Sequence, residues 1–277
     1  MTSEEIRAAH DTLLPAVREA AAAVMQFYHS QSYEVQHKDA DNPVTEADFA
    51  ANRILSTAIR KFFPGDAVLS EETDAAGERE QMNRDRAQAR RVWILDPIDG
   101  TREFIKGRDE FAISVGLVVD GAPVLGFICN PAKKYLLSGG TGIGLFRDGE
   151  PLVAALRTAI HPPELLPRIV VSRSEYKSGK LKHLEGLYGD LMQRAVGSIA
   201  YKLALVADGT YDLVISVKPK NEWDIAGGAA LIVAAGLEIA EGSGAPVVFN
   251  KPDTESFGLV CGTHEACAWY RKIATQT

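Results

Sequence analysis

The sequence has little cysteine, no long apolar run and no excess of basic charge. Its three cysteines, Cys129, Cys261 and Cys267, are odd in number and show neither CxxC spacing nor a histidine pattern typical of zinc. Neither a disulfide framework nor a cysteine zinc site is expected; reduced, packed thiols in a cytoplasmic protein are. The most apolar early stretch, AAAVM at 21–25, falls far short of the ~20 residues of a membrane span, and no signal peptide is visible. No membrane partner is expected. Lysine and arginine number 30 against 37 acidic residues, a net charge of −7, which argues against a nucleic acid polymer as partner. A small phosphorylated metabolite is not excluded, because it needs only a local positive site such as a bound metal.

Low-complexity tracts, internal repeats and Pro/Gly/Ser linkers are also missing. With 46% hydrophobic residues over 277 positions, the chain is long enough for one large domain or two intimately packed halves. Residues 1–150 read as an α+β half with an antiparallel sheet and the acidic loops. Residues 151–277 read as an α/β half that supplies a last acidic residue and substrate contacts.

Apolar residues recur at helical spacing from Asp11 to Tyr28, with Pro15 in the first turn of that helix. A second helix follows Thr45, because Thr45 and Asp48 form a capping pattern and Pro64-Gly65 stops the apolar stripe. Short β-rich runs come next: AVLS (67–70), VWILD (92–96), FAISVGLVV (111–119) and VLGFICN (124–130), the last two joined by Asp120-Gly121. The charged segment from Asp74 to Arg91 between them reads as an exposed helix or loop. Beyond residue 150, strands at 168–172, 211–217, LEIA and FGLVCG, with the short run RAVG, alternate with helices near 175–187, 198–208 and 223–235 and one from His264.

The stretch ILDPIDGTREF, 94–104, drives an apolar strand into two aspartates. A plain turn explains Asp-Pro and Asp-Gly taken alone. Two anions held close at a strand end repel, however, and a cation is the economical counterion. Further acids stand at element ends in SEET (70–73) and EWD (222–224); a solvated turn and a helix N-terminus explain each of these separately. Together, Glu71, Asp96, Asp99 and Asp224 offer hard oxygen donors for two magnesium ions. Gly100 admits a ligand close to the backbone, the N–H groups of Gly100 and Thr101 offer an anion cradle, and the Thr101 hydroxyl can orient a water.

DNPVTEAD, VLSEE, VWILDPIDGTREF and NEWDIAGGAALIVAAG, in this order, closely resemble the motifs of the inositol monophosphatase superfamily of magnesium-dependent, lithium-sensitive phosphatases. They span residues 41–236, with weaker similarity over nearly the whole chain. The resemblance implies a layered αβαβα sandwich of the sugar-phosphatase type and two or three Mg2+ per active site. It also implies metal ligands at Glu71, Asp96, Asp99, Asp224 and the Ile98 carbonyl, with Thr101 and Asp48 as the couple that activates water. Substrate contacts extend by the same likeness to Gly100, Thr101, Arg173, Ser174, Ser198, Lys202 and Asp224. Dimers are common among similar proteins, which leaves a homodimer open.

DGTREFI, VVSRS (170–174) and Lys202 look like the 3′(2′),5′-bisphosphate nucleotidase branch, which removes the 3′-phosphate of adenosine 3′,5′-bisphosphate. Inositol-1-monophosphatase and histidinol-phosphate or fructose-bisphosphate phosphatases of the same superfamily are the alternatives, and an inactive phosphate-ligand sensor is the reading from another class. The three-residue step from Asp96 to Asp99 separates the motif from the DxDGT of haloacid-dehalogenase phosphatases. Solvated roles for Arg173 and Lys202 stay open beside substrate contact. Lys218 and Lys220 read as surface residues, and Glu222 has no assigned role.

Overall fold

Thr2 starts helix α1 (Ser3–Ser30): its hydroxyl accepts the Glu5 N–H, and its own N–H reaches the Glu5 carboxylate at 2.7 Å. In this computed structural model, which describes residues 1–39, 42–72, 78–152 and 166–274, the helix therefore begins well before Asp11. Asp41, Thr73, the opening of the charged 74–91 segment and residues 153–165 lie outside the described part. Pro15 sits inside α1 and not in its first turn. Burial of Ile6, Ala9, Leu13, Val17, Ala20 and Val24 along one face outweighs the backbone bond that proline cannot make.

Strands β1 (Val35–Asp39) and β2 (Asn42–Thr45) pair antiparallel and deliver the chain to α2 (Glu46–Phe62). Asp48 accepts the Thr45 N–H at 2.8 Å, and the helix ends just before Pro64-Gly65 as its sequence requires.

The first sheet contains β3 (Ala67–Ser70), then, after α3 (Glu78–Ala87), β4 (Arg91–Asp99). A short α4 (Thr101–Ile105) precedes β5 (Ala112–Val119), β6 (Ala122–Asn130), β7 (Tyr135–Gly140), β8 (Gly144–Arg147) and β9 (Glu150–Pro151). The strands lie in chain order; β3 and β4 run parallel and the rest antiparallel. Asp120 and Gly121 take φ of 50° and 80°, the positive values that a two-residue hairpin turn demands. Strands β7 to β9 escape a pattern reading because they are short and interrupted by glycine.

The second sheet begins with β10 (Ile169–Ser172), followed by α5 (Arg173–Lys177) and α6 (Lys182–Tyr188), which divide the single helix expected near 175–187. Gly179, at φ +74°, turns the chain between them. Then come β11 (Ala195–Val196), α7 (Ile199–Ala207), β12 (Leu213–Ser216), β13 (Lys220–Asn221) and α8 (Glu222–Ala234). The chain finishes with β14 (Glu238–Ala240), β15 (Glu255–Ser256), β16 (Leu259–Gly262) and α9 (His264–Ala274). The strand order is β11-β10-β12-β16-β14, with β13 and β15 paired separately.

Alternation along the strands divides the core into three seams and the fold into five layers. Trp93, Leu95, Ile113 and Val115 pack under α1 and α2, whereas Val92, Ile94 and Ala112 face the opposite seam. That central seam holds α7 and α8 and is closed by Val170, Val214 and Cys261 of the second sheet. Ile169, Val171, Ile215 and Val260 face the third seam, with Leu184 of α6 and Tyr270 of α9. The layers are αβαβα. Helix α8 lies against glycine: a Cβ at Gly126 would stand 2.1 Å from the Gly227 carbonyl oxygen, and one at Gly116 2.7 Å from the Ala226 backbone. This close approach sets the depth of α8, and with it the place of Asp224.

All three cysteines are buried thiols. Helix α3 is mostly exposed, as its charge suggests, apart from Arg86, which is buried and donates to the carbonyls of Lys251 and Pro252. Among the described residues, no helix is long and apolar enough to cross a membrane.

Candidate active site

The parallel pairing of β3 with β4 sets Ser70 opposite Leu95, so the chains leaving them run side by side. Glu71 continues that ladder, its N–H donating to the Leu95 carbonyl at 3.1 Å. The turn is held from behind: Ser70 Oγ donates to Asn52 Oδ1 at 2.8 Å, and Asn52 Nδ2 donates to the Glu72 carbonyl at 3.1 Å. Arg79 of α3 donates to the Glu71 carbonyl at 2.5 Å and lies over the Trp223 ring, joining the second and fourth motifs. No local pattern in the charged 74–91 segment identifies Arg79.

Strand β4 runs through to Asp99 with an irregularity between Asp96 and Asp99. The Ile98 N–H returns to Asp96 Oδ1 at 3.0 Å, which turns both carboxylates the same way. Asp224 arrives from the third position of α8, its Oδ2 accepting the Asn221 N–H at 2.9 Å. One carboxylate oxygen from each of Asp96, Asp99 and Asp224 lies within 4.8 Å of the others. Glu71 is outside this trio but lines the same cavity of about 400 Å3, as do Ile98, Gly100 and Thr101. A larger cavity of about 730 Å3 between α2 and α3 lies apart from the trio.

Such crowding has an electrostatic signature. Burial raises the pKa of Asp96 well above the ordinary carboxylate value, and the charges of Glu71, Asp99 and Asp224 raise it further. Asp224 is raised well above it too, by burial and then by Asp99 and Glu71. Asp99 is raised by burial, though Ser198 and the Ala200 N–H oppose the shift. The donor set is hard and anionic, with three carboxylate oxygens brought together, which fits a divalent ion of the magnesium type.

Thr101 Oγ1 has two acceptors, the Ile98 carbonyl at 3.0 Å and Asp48 Oδ1 at 3.3 Å. Asp48 is almost fully buried, and burial pushes its pKa from 3.8 up to about 7. Its other oxygen caps α2, so one side chain serves both the helix start and the Thr101 contact.

Several expected substrate contacts are engaged elsewhere. Ser198 is fully buried and does not line the cavity: its hydroxyl donates to Asp99 Oδ2 at 2.5 Å and accepts the Tyr201 N–H, capping α7. Lys202 is not solvated, although it reaches the wall of the same cavity. It is 1% exposed, and its Nζ donates to the carbonyls of Val196, Gly197 and Ser198. Burial lowers its pKa to about 8. Arg173 lines the cavity, but its guanidinium grips Glu110, Glu103 and the Ala195 carbonyl. Ser174 is exposed at the rim, with its hydroxyl 3.1 Å from that of Ser172. Lys220, read from sequence as surface, lines the cavity instead. Glu222 is fully buried and accepts the N–H groups of Asn250 and Lys251, anchoring the start of α8.

Comparison with known proteins places the chain in a family. The profile of the inositol monophosphatase family matches residues 6–275. The 3′(2′),5′-bisphosphate nucleotidase CysQ of Escherichia coli is 31% identical over 245 residues, covering 88% of this chain and 95% of its own. Inositol monophosphatase 3 of Solanum lycopersicum is 28% identical over 238 residues, 84% of this chain and 86% of its own. In fold, the inositol monophosphatase from Anabaena superposes with a TM-score of 0.76 at 22% identity, covering 99% of this chain and 97% of that one. The chain belongs to the inositol monophosphatase family and is a phosphatase.

Proposed function

We propose that the protein is a magnesium-dependent phosphomonoesterase that removes the 3′-phosphate of adenosine 3′,5′-bisphosphate. The observation that carries the reaction class is the convergence of Asp96, Asp99 and Asp224 within 4.8 Å, in a cavity that also presents Thr101. These three carboxylates would hold one ion, and Glu71 with the Ile98 carbonyl offers donors for a second. Bound there, magnesium supplies Lewis acidity that neutralises phosphate charge and acidifies water.

The protein's own groups do the positioning. When Thr101 donates its single proton to Asp48, the lone pairs of its oxygen are left to accept a hydrogen bond from the attacking water. Asp48, a buried carboxylate whose pKa burial raises, is the acceptor at the end of this relay for the proton that the water gives up. Attack is in line on phosphorus and needs no covalent enzyme intermediate. Recovery of a phosphorylated Asp96 or Asp99 during turnover would contradict this.

The nucleotidase assignment is supported by the 31% likeness to a protein named as such, at higher identity than the inositol monophosphatase of Solanum lycopersicum. The test is a phosphate-release panel with magnesium over adenosine 3′,5′-bisphosphate, inositol 1-phosphate, fructose 1,6-bisphosphate and histidinol phosphate. The bisphosphate should give the highest kcat/KM; preference for inositol 1-phosphate would move the protein to the alternative branch.

A further inference from the structure

Glu175 is a fully buried carboxylate that no motif singles out. It leaves α5 and accepts four bonds from the segment leading to α8. Ser216 Oγ donates at 2.6 Å, the Val217 N–H at 3.1 Å, the Lys218 N–H at 3.2 Å and Lys220 Nζ at 3.4 Å. A buried anion is tolerated only when it is so satisfied, and the bonds fix the 216–220 segment to α5. Its position relative to the cavity is thereby set.

Lys220 is the side chain this clamp aims. It lines the cavity together with Asp224 and Lys202, and its side chain is 14% exposed. The other basic groups at that wall are also paired: Lys202 with three carbonyls at 2.8 to 3.1 Å, and Arg173 with two carboxylates and a carbonyl. The contacts of Lys220 are long by comparison, 3.2 Å to the carbonyls of Lys218 and Pro219 and 3.4 Å to Glu175, against the 2.7–2.9 Å usual for a charge-assisted bond. A phosphate oxygen brought into the cavity would be a stronger acceptor than either of those carbonyls. Lys220 thus shares one cavity wall with Asp224, a carboxylate of the acidic trio.

We propose that Lys220 is a specificity-determining residue that binds a second anionic group of the substrate, and that Glu175 is the positioning residue that aims it. This rests on the phosphatase reading above and gives it a means of choosing bisphosphates. Lys202, expected from sequence beside the substrate, lines the same cavity but also holds the 196–198 loop, and Lys220 adds a second cation at that wall.

The test compares KM for adenosine 3′,5′-bisphosphate and adenosine 3′-monophosphate, with magnesium, in wild type, Lys220→Gln, Lys220→Arg and Glu175→Gln. Lys220→Gln should shrink the KM advantage of the bisphosphate about tenfold, the value of one charge-assisted bond. Arginine should restore most of it, and Glu175→Gln should shrink it in the same direction. If the wild type favours the bisphosphate and Lys220→Gln leaves that ratio intact, this proposal falls while the nucleotidase reading stands. If the wild type shows no such advantage, this proposal falls, and the nucleotidase reading is decided separately by the substrate panel above.

Discussion

Replacing Asp224 by asparagine should make the metal-free protein more stable and the magnesium-loaded protein less so. At 4.8 Å and an effective dielectric near 20, two unit charges repel by ~3 kcal/mol, and Asp224 takes part in two such pairs. Burial and mutual repulsion already raise all three carboxyls, so proton uptake relieves part of this, and a net gain of ~1 to 3 kcal/mol is expected. The helix cap survives, because an amide oxygen can still accept the Asn221 N–H. For a chain of 277 residues the gain corresponds to a rise of roughly 2 to 5 °C in Tm when measured in a chelator. Magnesium at a thousandfold above Kd should then stabilise the wild type by about 4.1 kcal/mol and Asp224→Asn by far less. Scanning calorimetry in chelator and in magnesium would thus show the order of the two melts reverse. A variant that melts below wild type in chelator, or that gains as much from magnesium, would refute the convergence of these acids on a cation.

Thr101→Ala should lower kcat by ~100-fold with KM changed only a few-fold, as steady-state phosphate release would show, because the hydroxyl orients water and does not hold the ester. Gly126→Ala should cost ~1 to 3 kcal/mol by urea unfolding and weaken magnesium binding in calorimetric titration, since the added methyl meets the Gly227 carbonyl and pushes α8 outward. His10 is buried between Phe127 and Phe146, with Nε2 2.9 Å from Ser138 Oγ, and burial lowers its pKa below 6.5. A base depressed by folding stabilises the native state fully above its unfolded pKa, and that contribution is lost as pH falls through the folded value. Urea midpoints compared at about pH 7.5 and about pH 5.5 should therefore fall more in wild type than in His10→Gln.

Much of this protein is legible in local pattern. The capped start of α2, the strands from 67 to 130, the Asp120-Gly121 turn and helix α8 follow from signals a few residues long, as does the placing of every acidic motif at an element end. Helix α1 shows where that reading weakens: a proline marks a helix start locally, yet burial of the stripe from Ile6 to Val24 carries the helix through it. What only the tertiary structure decided is which partner each polar group takes. Ser198 goes to Asp99, Arg173 to Glu110 and Lys220 to Glu175 across 99, 63 and 45 residues of chain. Helical and strand periodicities are written in neighbours and survive in one dimension. A buried donor or charge instead takes the nearest satisfying acceptor in space, and that choice exists only once the layers have closed.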